Sequence, residues 1–389
     1  MERGSSGPIR VLVLGGDGVG PEVIAQALRV GEAVAGGAAG RVEFVEAPYG
    51  MRSWQATGEI LPQATLEAAR AADAILFGAV GDYPGVAQAV RRAGSILRFR
   101  TEFELFVNLR PVRHWPMLAD TCPLRPEVAA GTDIAIVREN TGGLYFGTPR
   151  GVGPSPDGGQ RAINTLVYTS AEIERVARFA FELARTRSGR VCSVDKSNVL
   201  ENGQLWREVV GALHAREFPD LALSHMLVDN CAMQLVRAPS QFDVIVTDNM
   251  FGDILSDGAG GIAGSLGMLP SASLGLRAGN GRVKGVYEPV HGSAPDIAGT
   301  GVANPLGAIL SLAMLMRHSV GDDAAASRIE RAVERVLALG LRTPDIAPAS
   351  TGAADRETAT GANDPMRRVT HVGTVEMGDA VLEALDRAG

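Results

Sequence analysis

The fold is indicated by the segment at residues 10–22, which reads RVLVLGGDGVGPE. A short aliphatic, β-branched run ends in glycines, and Pro21 then stands in the first turn of a helix, a position that favours proline. Further apolar runs at residues 42–47 and 73–80 alternate with segments of helical period. Strands and helices at this short spacing predict βαβ units and a mostly parallel, buried sheet, and hence an α/β fold.

The glycines of this segment do not form the dinucleotide-binding fingerprint. Gly16 and Gly18 have the spacing of its first two glycines, but Pro21 occupies the place of the third. We therefore predict that the chain has no standard Rossmann domain. The glycine cluster is either a tight turn or a loop that binds a ligand.

The composition excludes several classes of protein. The 389 residues suffice for two domains or one large one, and 46% of them are hydrophobic, so a substantial core can form. The formal charge of −7 leaves no basic excess for nucleic acid as a partner. The longest apolar run, residues 305–316, is shorter than the ~20 residues that span a membrane, so no membrane is expected either. Three cysteines without disulfide or zinc spacing are typical of a reducing, cytoplasmic compartment.

Two arginines stand within apolar runs. Arg110 lies in the segment VNLRP at residues 107–111, and Arg138 follows IAIV at residues 134–137. A buried guanidinium needs an anion, so two of them at strand ends favour a site that binds a dicarboxylate. Structural ion pairs with Glu102 or Glu139 are the alternative.

Acidic residues also follow predicted strands. Asp253 and Asp257 are four residues apart, so a helix would place both carboxylates on one face, beyond the strand at residues 244–247. Two such carboxylates repel unless a cation lies between them, which favours Mg²⁺ or Mn²⁺. An acidic helix start stabilised by the helix dipole is the alternative. Asp229 is another carboxylate at the end of a predicted strand.

Two further segments offer groups for catalysis or cofactor binding. Lys196 follows an apolar strand and can act as a general base, although an ordinary surface lysine is the alternative. The loop from His291 to Asp296 has small residues that allow close approach of a ligand, and its carboxylate suits a ribose diol. A plain turn is the alternative for this loop. His291 has no nucleophile at a recognisable spacing, so a hydrolase triad has little support.

Six segments together resemble the β-decarboxylating dehydrogenases of 2-hydroxy acids, which include the isopropylmalate, isocitrate, homoisocitrate and tartrate/D-malate dehydrogenases. The resemblance extends over residues 9–385, apart from a predicted insertion loop at residues 347–367. It implies an isopropylmalate dehydrogenase-like fold of two domains, with a mostly parallel central sheet and no standard Rossmann domain. The six segments are residues 16–22, 108–111, 138–145, 195–200, 251–257 and 287–296.

The resemblance also implies a domain organisation. A large domain would comprise residues 1–105 and 264–389, and a small domain would comprise residues 106–263. The small domain would carry the interface of a homodimer, and each active site would be completed by the second subunit.

The roles of single residues are likewise implied by the resemblance. Arg100, Arg110 and Arg138 would bind the substrate carboxylates, Tyr145 would protonate the enol, and Lys196 from the second subunit would be the general base. The metal ligands would be Asp253 and Asp257, with Asp229 of the second subunit, which also lies at the substrate. The activity implied is NAD-dependent and Mg²⁺- or Mn²⁺-dependent oxidative decarboxylation of a 3-substituted malate, a 2-hydroxy dicarboxylate. The implied cofactor contacts are Asn198, Glu288, His291, Gly292, Ser293, Ala294, Asp296 and Asn304.

The choice of substrate depends in this family on the stretch before Arg100. Isocitrate enzymes place serine and asparagine where Gly94 and Ile96 stand, so isocitrate is disfavoured, and Ile96 suits an alkyl group. Ala93 departs from the glutamate that is usual in isopropylmalate enzymes, and residues 94–103 partly resemble the tartrate/D-malate branch. Residues 225–248 and 340–345 favour the isopropylmalate branch. We therefore predict conversion of 3-isopropylmalate to 2-oxoisocaproate in leucine biosynthesis, with a tartrate/D-malate dehydrogenase or an alkylmalate- or homoisocitrate-type paralogue as alternatives.

A non-catalytic regulatory subunit is a different class of function that the family also contains. Such a subunit is expected to have lost the arginines, the tyrosine or the lysine. All of these residues are present in this chain, which favours an enzyme.

Overall fold

The computed structural model describes residues 8–35, 42–81, 83–279, 281–348 and 369–386. It confirms the predicted α/β class, with strands that alternate with helices and pair mostly in parallel. The predicted insertion at residues 347–367 lies, apart from its first two residues, outside the described part of the chain.

The regular elements follow one another from Ile9 to Asp386. The strands are β1 (Ile9–Gly16), β2 (Val42–Glu46), β3 (Ala74–Ala79), β4 (Val107–Arg113), β5 (Asp133–Glu139), β6 (Gly151–Pro154), β7 (Gln160–Ile163), β8 (Arg190–Asp195), β9 (Ala222–Leu227), β10 (Val244–Thr247), β11 (Pro270–Arg277), β12 (Val283–Pro289), β13 (Leu341–Arg342) and β14 (Thr370–His371). The helices are α1 (Gly20–Val34), α2 (Met51–Thr57), α3 (Gln63–Ala71), α4 (Gln88–Ala93), α5 (Ile96–Glu102), α6 (Pro126–Ala129), α7 (Ser170–Arg185), α8 (Glu201–Glu217), α9 (Val228–Arg237), α10 (Asn249–Gly260), α11 (Leu306–Leu315), α12 (Asp323–Ala338) and α13 (Thr374–Asp386).

The first of two compact units contains the described residues up to Phe103, the segment Trp115–Pro123 and the residues from Ala263 onward. Its strands lie in the order β2-β1-β3-β12-β11, with parallel pairs except for the antiparallel pair of β11 and β12. Every residue of α11 is buried, and this helix packs against β11, β12, α1 and α12. A helix that is apolar on all sides belongs inside a core, so α11 is the centre of this unit.

The second unit contains Glu104–His114 and Leu124–Ile262. Five of its strands lie in the order β4-β5-β10-β8-β9, where β4 and β5 are antiparallel and the other pairs are parallel, and β6 and β7 form a separate antiparallel pair. The parallel strands β5, β8 and β10 therefore end at one edge of the sheet, where α/β proteins place their binding sites. The reversed strand β4 begins at the same edge, since Asn108 pairs with Arg138.

Residues 259–281 are rich in glycine and serine and contain the passage of the chain from one unit to the other, between Ile262 and Ala263. The same segment also contains β11 (Pro270–Arg277), whose first six residues are buried. The first part of β11 is built from Ser271, Ala272 and Ser273, whose small side chains conceal the strand pattern. Trp115–Pro123, which the predicted small domain includes, packs with the first unit, where Arg342 donates a hydrogen bond to the Met117 carbonyl (2.6 Å).

Candidate functional site

The start of α10 brings two predicted metal ligands to the sheet edge of the second unit. β10 ends at Thr247, and the Asp248 side chain caps α10 by accepting the N–H of Phe251 (2.7 Å). Aspartate is a favoured cap because its carboxylate satisfies an N–H that has no partner within the helix. Asp253 and Asp257 follow one turn apart on this helix, so the helix places their carboxylates side by side.

Arg138 lies at the end of β5 with only 1% of its surface exposed. Its Nη1 donates to Asp253 (2.6 Å), while its Nη2 and Nε donate to the side-chain oxygen of Asn249 (2.7 and 3.2 Å). A side chain at Gly252 would lie 2.6 Å from Arg138 Cβ, so the helix can approach the arginine only through a glycine. The Glu139 carboxylate accepts the backbone N–H groups of residues 141 and 142 and lies 3.7 Å from a guanidinium nitrogen of Arg175.

Arg110 bridges both aspartates. Its Nη1 donates to Asp257 (2.6 Å) and to the Ser256 hydroxyl (2.8 Å), and its Nη2 lies 3.3 Å from Asp253. The side-chain oxygen of Asn108 accepts from Nε (2.9 Å) and orients the guanidinium. Two guanidinium groups and two carboxylates therefore share one site at the sheet edge.

Tyr145 completes this cluster. It ends the short turn Gly143–Tyr145, and its hydroxyl donates to the second oxygen of Asp253 (2.9 Å). The Arg150 side chain donates to the Tyr145 carbonyl, and the Arg138 guanidinium lies 5.6 Å from the tyrosine ring. The structure thus brings together five predicted site residues, namely Arg110, Arg138, Tyr145, Asp253 and Asp257.

Lys196 and Asp229 form a separate pair in the same unit. The Lys196 ammonium donates to the Asp229 carboxylate, and this hydrogen bond lowers the pKa of Asp229. Asn198 is exposed on the loop that follows Lys196. Within the described ranges, no three histidine, cysteine, aspartate or glutamate side chains lie close enough together to hold a metal ion. One chain therefore brings together only two of the three predicted metal ligands.

Several polar residues behind the cluster were not identified from the sequence. Burial raises the pKa of Asp248 to about 7, and it also raises the pKa of Glu139. Asn249 is fully buried, its amide donates to the Gly142 carbonyl (3.1 Å), and its N–H donates to the Tyr168 hydroxyl (2.9 Å). Asn249 could have been predicted as a site residue, because it is a polar residue just after the end of β10 and the strand ends meet at this edge.

Replacing Asn249 by alanine is expected to weaken substrate binding, because Arg138 loses the acceptor that orients its guanidinium. We expect KM for the substrate to rise ~10-fold with a smaller effect on kcat, and stability to fall by ~1–3 kcal/mol from the unsatisfied buried donor. Steady-state kinetics and thermal unfolding measure both effects. Gln241→Ala is the matched control, since this exposed amide lies in the same unit and donates to the Gln234 side chain and the Ala238 carbonyl, away from Arg138. An unchanged KM in Asn249→Ala would contradict the orienting role.

The predicted cofactor loop lies in the first unit, after β12, and rests on the glycine cluster that follows β1. The N–H of Val19 donates to the Ser293 carbonyl (2.8 Å). Gly18 has φ of +57°, and a side chain there would lie 1.9 Å from the Ser293 carbonyl oxygen. A Rossmann glycine allows a pyrophosphate to come this close, whereas Gly18 allows the backbone of another loop to do so. The cluster is thus a tight turn that supports a second loop.

The other predicted residues of this unit are spread over the loop and its surroundings. His291 Nδ1 donates to the Gly292 carbonyl (2.9 Å), burial lowers the pKa of His291, and its buried Nε2 has no hydrogen-bond partner in the described chain. Asp296 is exposed, whereas Asn304 is buried and donates to Asp345 (3.1 Å). Arg100 is buried, with one guanidinium nitrogen 3.7 Å from Glu288. Gly292 is exposed, Ser293, Ala294 and Ile96 are half-buried, and Ile96 begins α5.

Comparison with known proteins gives the family. The family model described as isocitrate/isopropylmalate dehydrogenase matches residues 10–381. The chain belongs to the isocitrate/isopropylmalate dehydrogenase family. A 3-isopropylmalate dehydrogenase of Bradyrhizobium diazoefficiens is 53% identical over 384 residues, which cover 98% of this chain and 97% of the relative. The 3-isopropylmalate dehydrogenase of Gluconobacter oxydans is 52% identical over 97% of this chain and 98% of its own length.

Solved structures of isocitrate/isopropylmalate dehydrogenase relatives agree with the fold. The crystal structure of isocitrate dehydrogenase from Methylococcus capsulatus has a TM-score of 0.79 and 33% identity, and covers 97% of this chain and 99% of that chain. A β-decarboxylating dehydrogenase from Thermococcus kodakarensis has a TM-score of 0.73 and 35% identity, and covers 97% of this chain and 96% of that chain. No described helix of this family member is both long and apolar enough to cross a membrane.

Proposed function

We propose that the protein is an NAD-dependent 3-isopropylmalate dehydrogenase that oxidises and decarboxylates its substrate to 2-oxoisocaproate in leucine biosynthesis. The observation that carries this proposal is the joint cluster of Arg110, Arg138, Tyr145, Asp253 and Asp257. The curated relatives at 50–55% identity, which are 3-isopropylmalate dehydrogenases, support the choice of substrate.

The packing at Gly94 supports an alkylmalate over isocitrate. A side chain at this position would lie 2.4 Å from Cβ of Ile60, so no serine can be placed there to bind a third carboxylate. Ile60 is itself buried, and the Gly94 carbonyl accepts the Tyr49 hydroxyl (2.6 Å). The position is thus closed by a side chain that cannot easily move aside.

The residues of the cluster fit a divalent cation in part. Asp253 and Asp257 offer hard oxygen ligands, and we propose that Asp229 of a second subunit supplies the third carboxylate. A Mg²⁺ or Mn²⁺ ion held there would favour the ionised form of the substrate hydroxyl and stabilise negative charge on the substrate after CO₂ is lost. Arg110 contacts one carboxylate oxygen of Asp257, whose side chain is 57% exposed, so the second oxygen can bind a cation while that contact is kept.

The cofactor loop fits an adenosine group. Since Nδ1 of His291 donates to a carbonyl and burial keeps the ring neutral, its Nε2 is an acceptor without a protein partner in the described chain. An amino group of adenine is a suitable donor for this nitrogen. The exposed carboxylate of Asp296 can accept hydrogen bonds from a ribose diol. We propose that NAD⁺, which supplies the hydride acceptor, binds to this loop, with Glu288, Asn304 and Asn198 as further contacts.

The residues of this chain then have defined roles in the reaction. Arg110 and Arg138 bind the substrate carboxylates, and Arg100 is proposed to do the same. Lys196 of the second subunit, in its uncharged amine form, accepts the proton of the substrate hydroxyl at its Nζ, and the resulting ammonium donates to Asp229. Tyr145, which Asp253 orients through a 2.9 Å hydrogen bond, returns a proton to the carbon that has lost CO₂.

A substrate panel tests this function. NAD⁺ reduction with Mg²⁺ or Mn²⁺ is measured against 3-isopropylmalate, D-malate, tartrate, isocitrate, homoisocitrate and longer alkylmalates. We expect the highest kcat/KM with 3-isopropylmalate, because the closed position at Gly94 disfavours a third carboxylate and Ile96 suits an alkyl group. A higher kcat/KM for tartrate, D-malate or another alkylmalate would identify one of the alternative branches.

The preference for NAD⁺ is expected to depend on Asp296. Its carboxylate repels a 2′-phosphate, and a like-charge contact at ~4 Å costs up to ~4 kcal/mol at an effective dielectric near 20. We expect kcat/KM to favour NAD⁺ over NADP⁺ by ~10²-fold or more. Asp296→Lys combined with Ile297→Tyr is expected to shrink or invert this ratio. Equal use of both cofactors by the unmodified enzyme would refute the assignment.

A further inference from the structure

The cofactor loop is bound at two points to the start of α1, by the residue that precedes the helix and by its first turn. The Val19 N–H donates to the Ser293 carbonyl, and a carboxylate oxygen of Glu22 accepts the N–H of Gly299. The two contacts lie on either side of Asp296. The segment that would bind the cofactor ribose is therefore held from both ends by one turn of the protein.

The backbone between these contacts needs such support. Ala294 has φ of +39°, a left-handed conformation that residues with a side chain adopt only when their surroundings hold them there. Within the loop, the N–H groups of Ile297 and Thr300 donate at 3.2 Å to the carbonyls of Ala294 and Ile297, and the Thr300 hydroxyl also donates to the Ile297 carbonyl (2.6 Å). The turn that begins at Ala294 is therefore closed by one hydrogen bond at the long end of the usual range, so contacts from outside the loop matter to its shape.

The carboxylate of Glu22 is suited to this task. It stands in the first turn of α1, where the helix dipole favours a negative charge. Its oxygen accepts a hydrogen bond from the backbone N–H of Gly299, which is distant in the chain. Hydrogen bonds from an N–H to a carboxylate are stronger than those to neutral acceptors. The contact therefore fixes Gly299, three residues after Asp296.

We propose that Glu22 is a positioning residue for the cofactor: by holding Gly299 it presents Asp296 in the orientation that binds the adenosine ribose. This inference rests on the proposed binding of NAD⁺ to the loop. It also explains why the turn after β1 contains Pro21 and Glu22 instead of the third glycine of a dinucleotide fingerprint. The turn is built to hold a loop and not to contact a pyrophosphate.

Three variants of α1 test the proposal. Glu22→Ala removes the acceptor, Glu22→Gln keeps an acceptor oxygen without the charge, and Glu32→Ala removes an exposed carboxylate near the other end of the same helix. Calorimetry measures the Kd of NAD⁺, steady-state kinetics separate KM from kcat, and hydrogen exchange of the cofactor-free protein reports on the amides of residues 294–300. Thermal unfolding checks that each variant is folded.

We expect Glu22→Ala to raise the Kd and the KM of NAD⁺ ~10-fold, with kcat within about twofold of the unmodified enzyme. The loop amides should exchange faster in this variant even without cofactor. Glu22→Gln should lie within about threefold of the unmodified Kd, because its side-chain oxygen still accepts the Gly299 N–H. Glu32→Ala should change neither measurement.

The outcomes separate this inference from the proposed function. Faster loop exchange with an unchanged Kd in Glu22→Ala overturns the positioning role and leaves the proposed function intact. Unchanged exchange and unchanged Kd overturn the role as well, as does a loss of affinity in Glu32→Ala equal to that in Glu22→Ala. If the unmodified protein does not bind NAD⁺, the proposed function fails and the positioning role fails with it.

Discussion

Asp253→Asn is expected to lower kcat by at least ~10²-fold, because metal polarisation of a substrate is worth several kcal/mol and the change removes one of two adjacent carboxylates. Asp253 is the common partner of the cluster, since it accepts from Arg138 and Tyr145 and lies beside Arg110. Asparagine keeps the shape and one acceptor oxygen but loses the charge. Direct titration with Mn²⁺, followed through its spectroscopic signal, should show weaker binding in the variant.

The matched control is Asp220→Asn. Asp220 forms an exposed ion pair with Arg185 in the same unit (2.8 Å), so the substitution removes an equivalent charge away from the cluster. Exposed ion pairs contribute little to stability, so we expect this variant to be folded, with unchanged activity and Mn²⁺ binding. An Asp253→Asn enzyme with nearly full activity in metal-depleted buffer would show that the cluster is not a metal site.

Lys196→Ala and Tyr145→Phe are each expected to lower activity by ~10²–10⁴-fold, because each removes a proton-transfer group. If Lys196 acts in the site of the second subunit, mixing the two variants restores activity. In a mixed dimer one site combines the intact Tyr145 with the intact Lys196, while the other site contains both defects. Random exchange of subunits at equal amounts should restore about a quarter of the unmodified activity.

A chain that carries both substitutions supplies the converse test. Mixed with the unmodified chain, it should inactivate both sites of the mixed dimer, since each site receives one defect. The activity of the mixture should then be lower than the activity of the same amount of unmodified chain measured without the double variant. If each chain instead uses its own lysine and tyrosine, the single variants will not complement each other and the unmodified chains will keep their activity after verified exchange.

The fold class followed from the sequence because the strand and helix periods are clear at residues 10–80. The buried strand β11 was missed because Ser271, Ala272 and Ser273 have small side chains, and a strand of this composition is recognisable only from its pairing with β12. Serine and alanine have a weak intrinsic preference for strands. They are accommodated in β11 because α11 packs against this strand and buries it.

The candidate site was predictable where local spacing decides geometry. Asp253 and Asp257 are neighbours because a helix of period 3.6 places residues four apart on one face. The partners of Arg138 were not predictable, because Asn249 is 111 residues away and reaches the guanidinium only through the register of β5 and β10. The roles of Lys196, Asp229 and Asn198 remain predictions, since they concern a second subunit.

The order of the strands has a consequence for how the chain folds while the ribosome synthesises it. In the first unit β3 pairs with β1 on one side and with β12 on the other, yet β12 begins about two hundred residues later in the chain. While the ribosome synthesises the second unit, β3 therefore keeps an unsatisfied edge that can pair with another nascent chain. The strands of the second unit, from β4 to β10, follow one another in the chain without a comparable gap. The amino-terminal part of the protein thus depends longest on protection from aggregation, although it is made first.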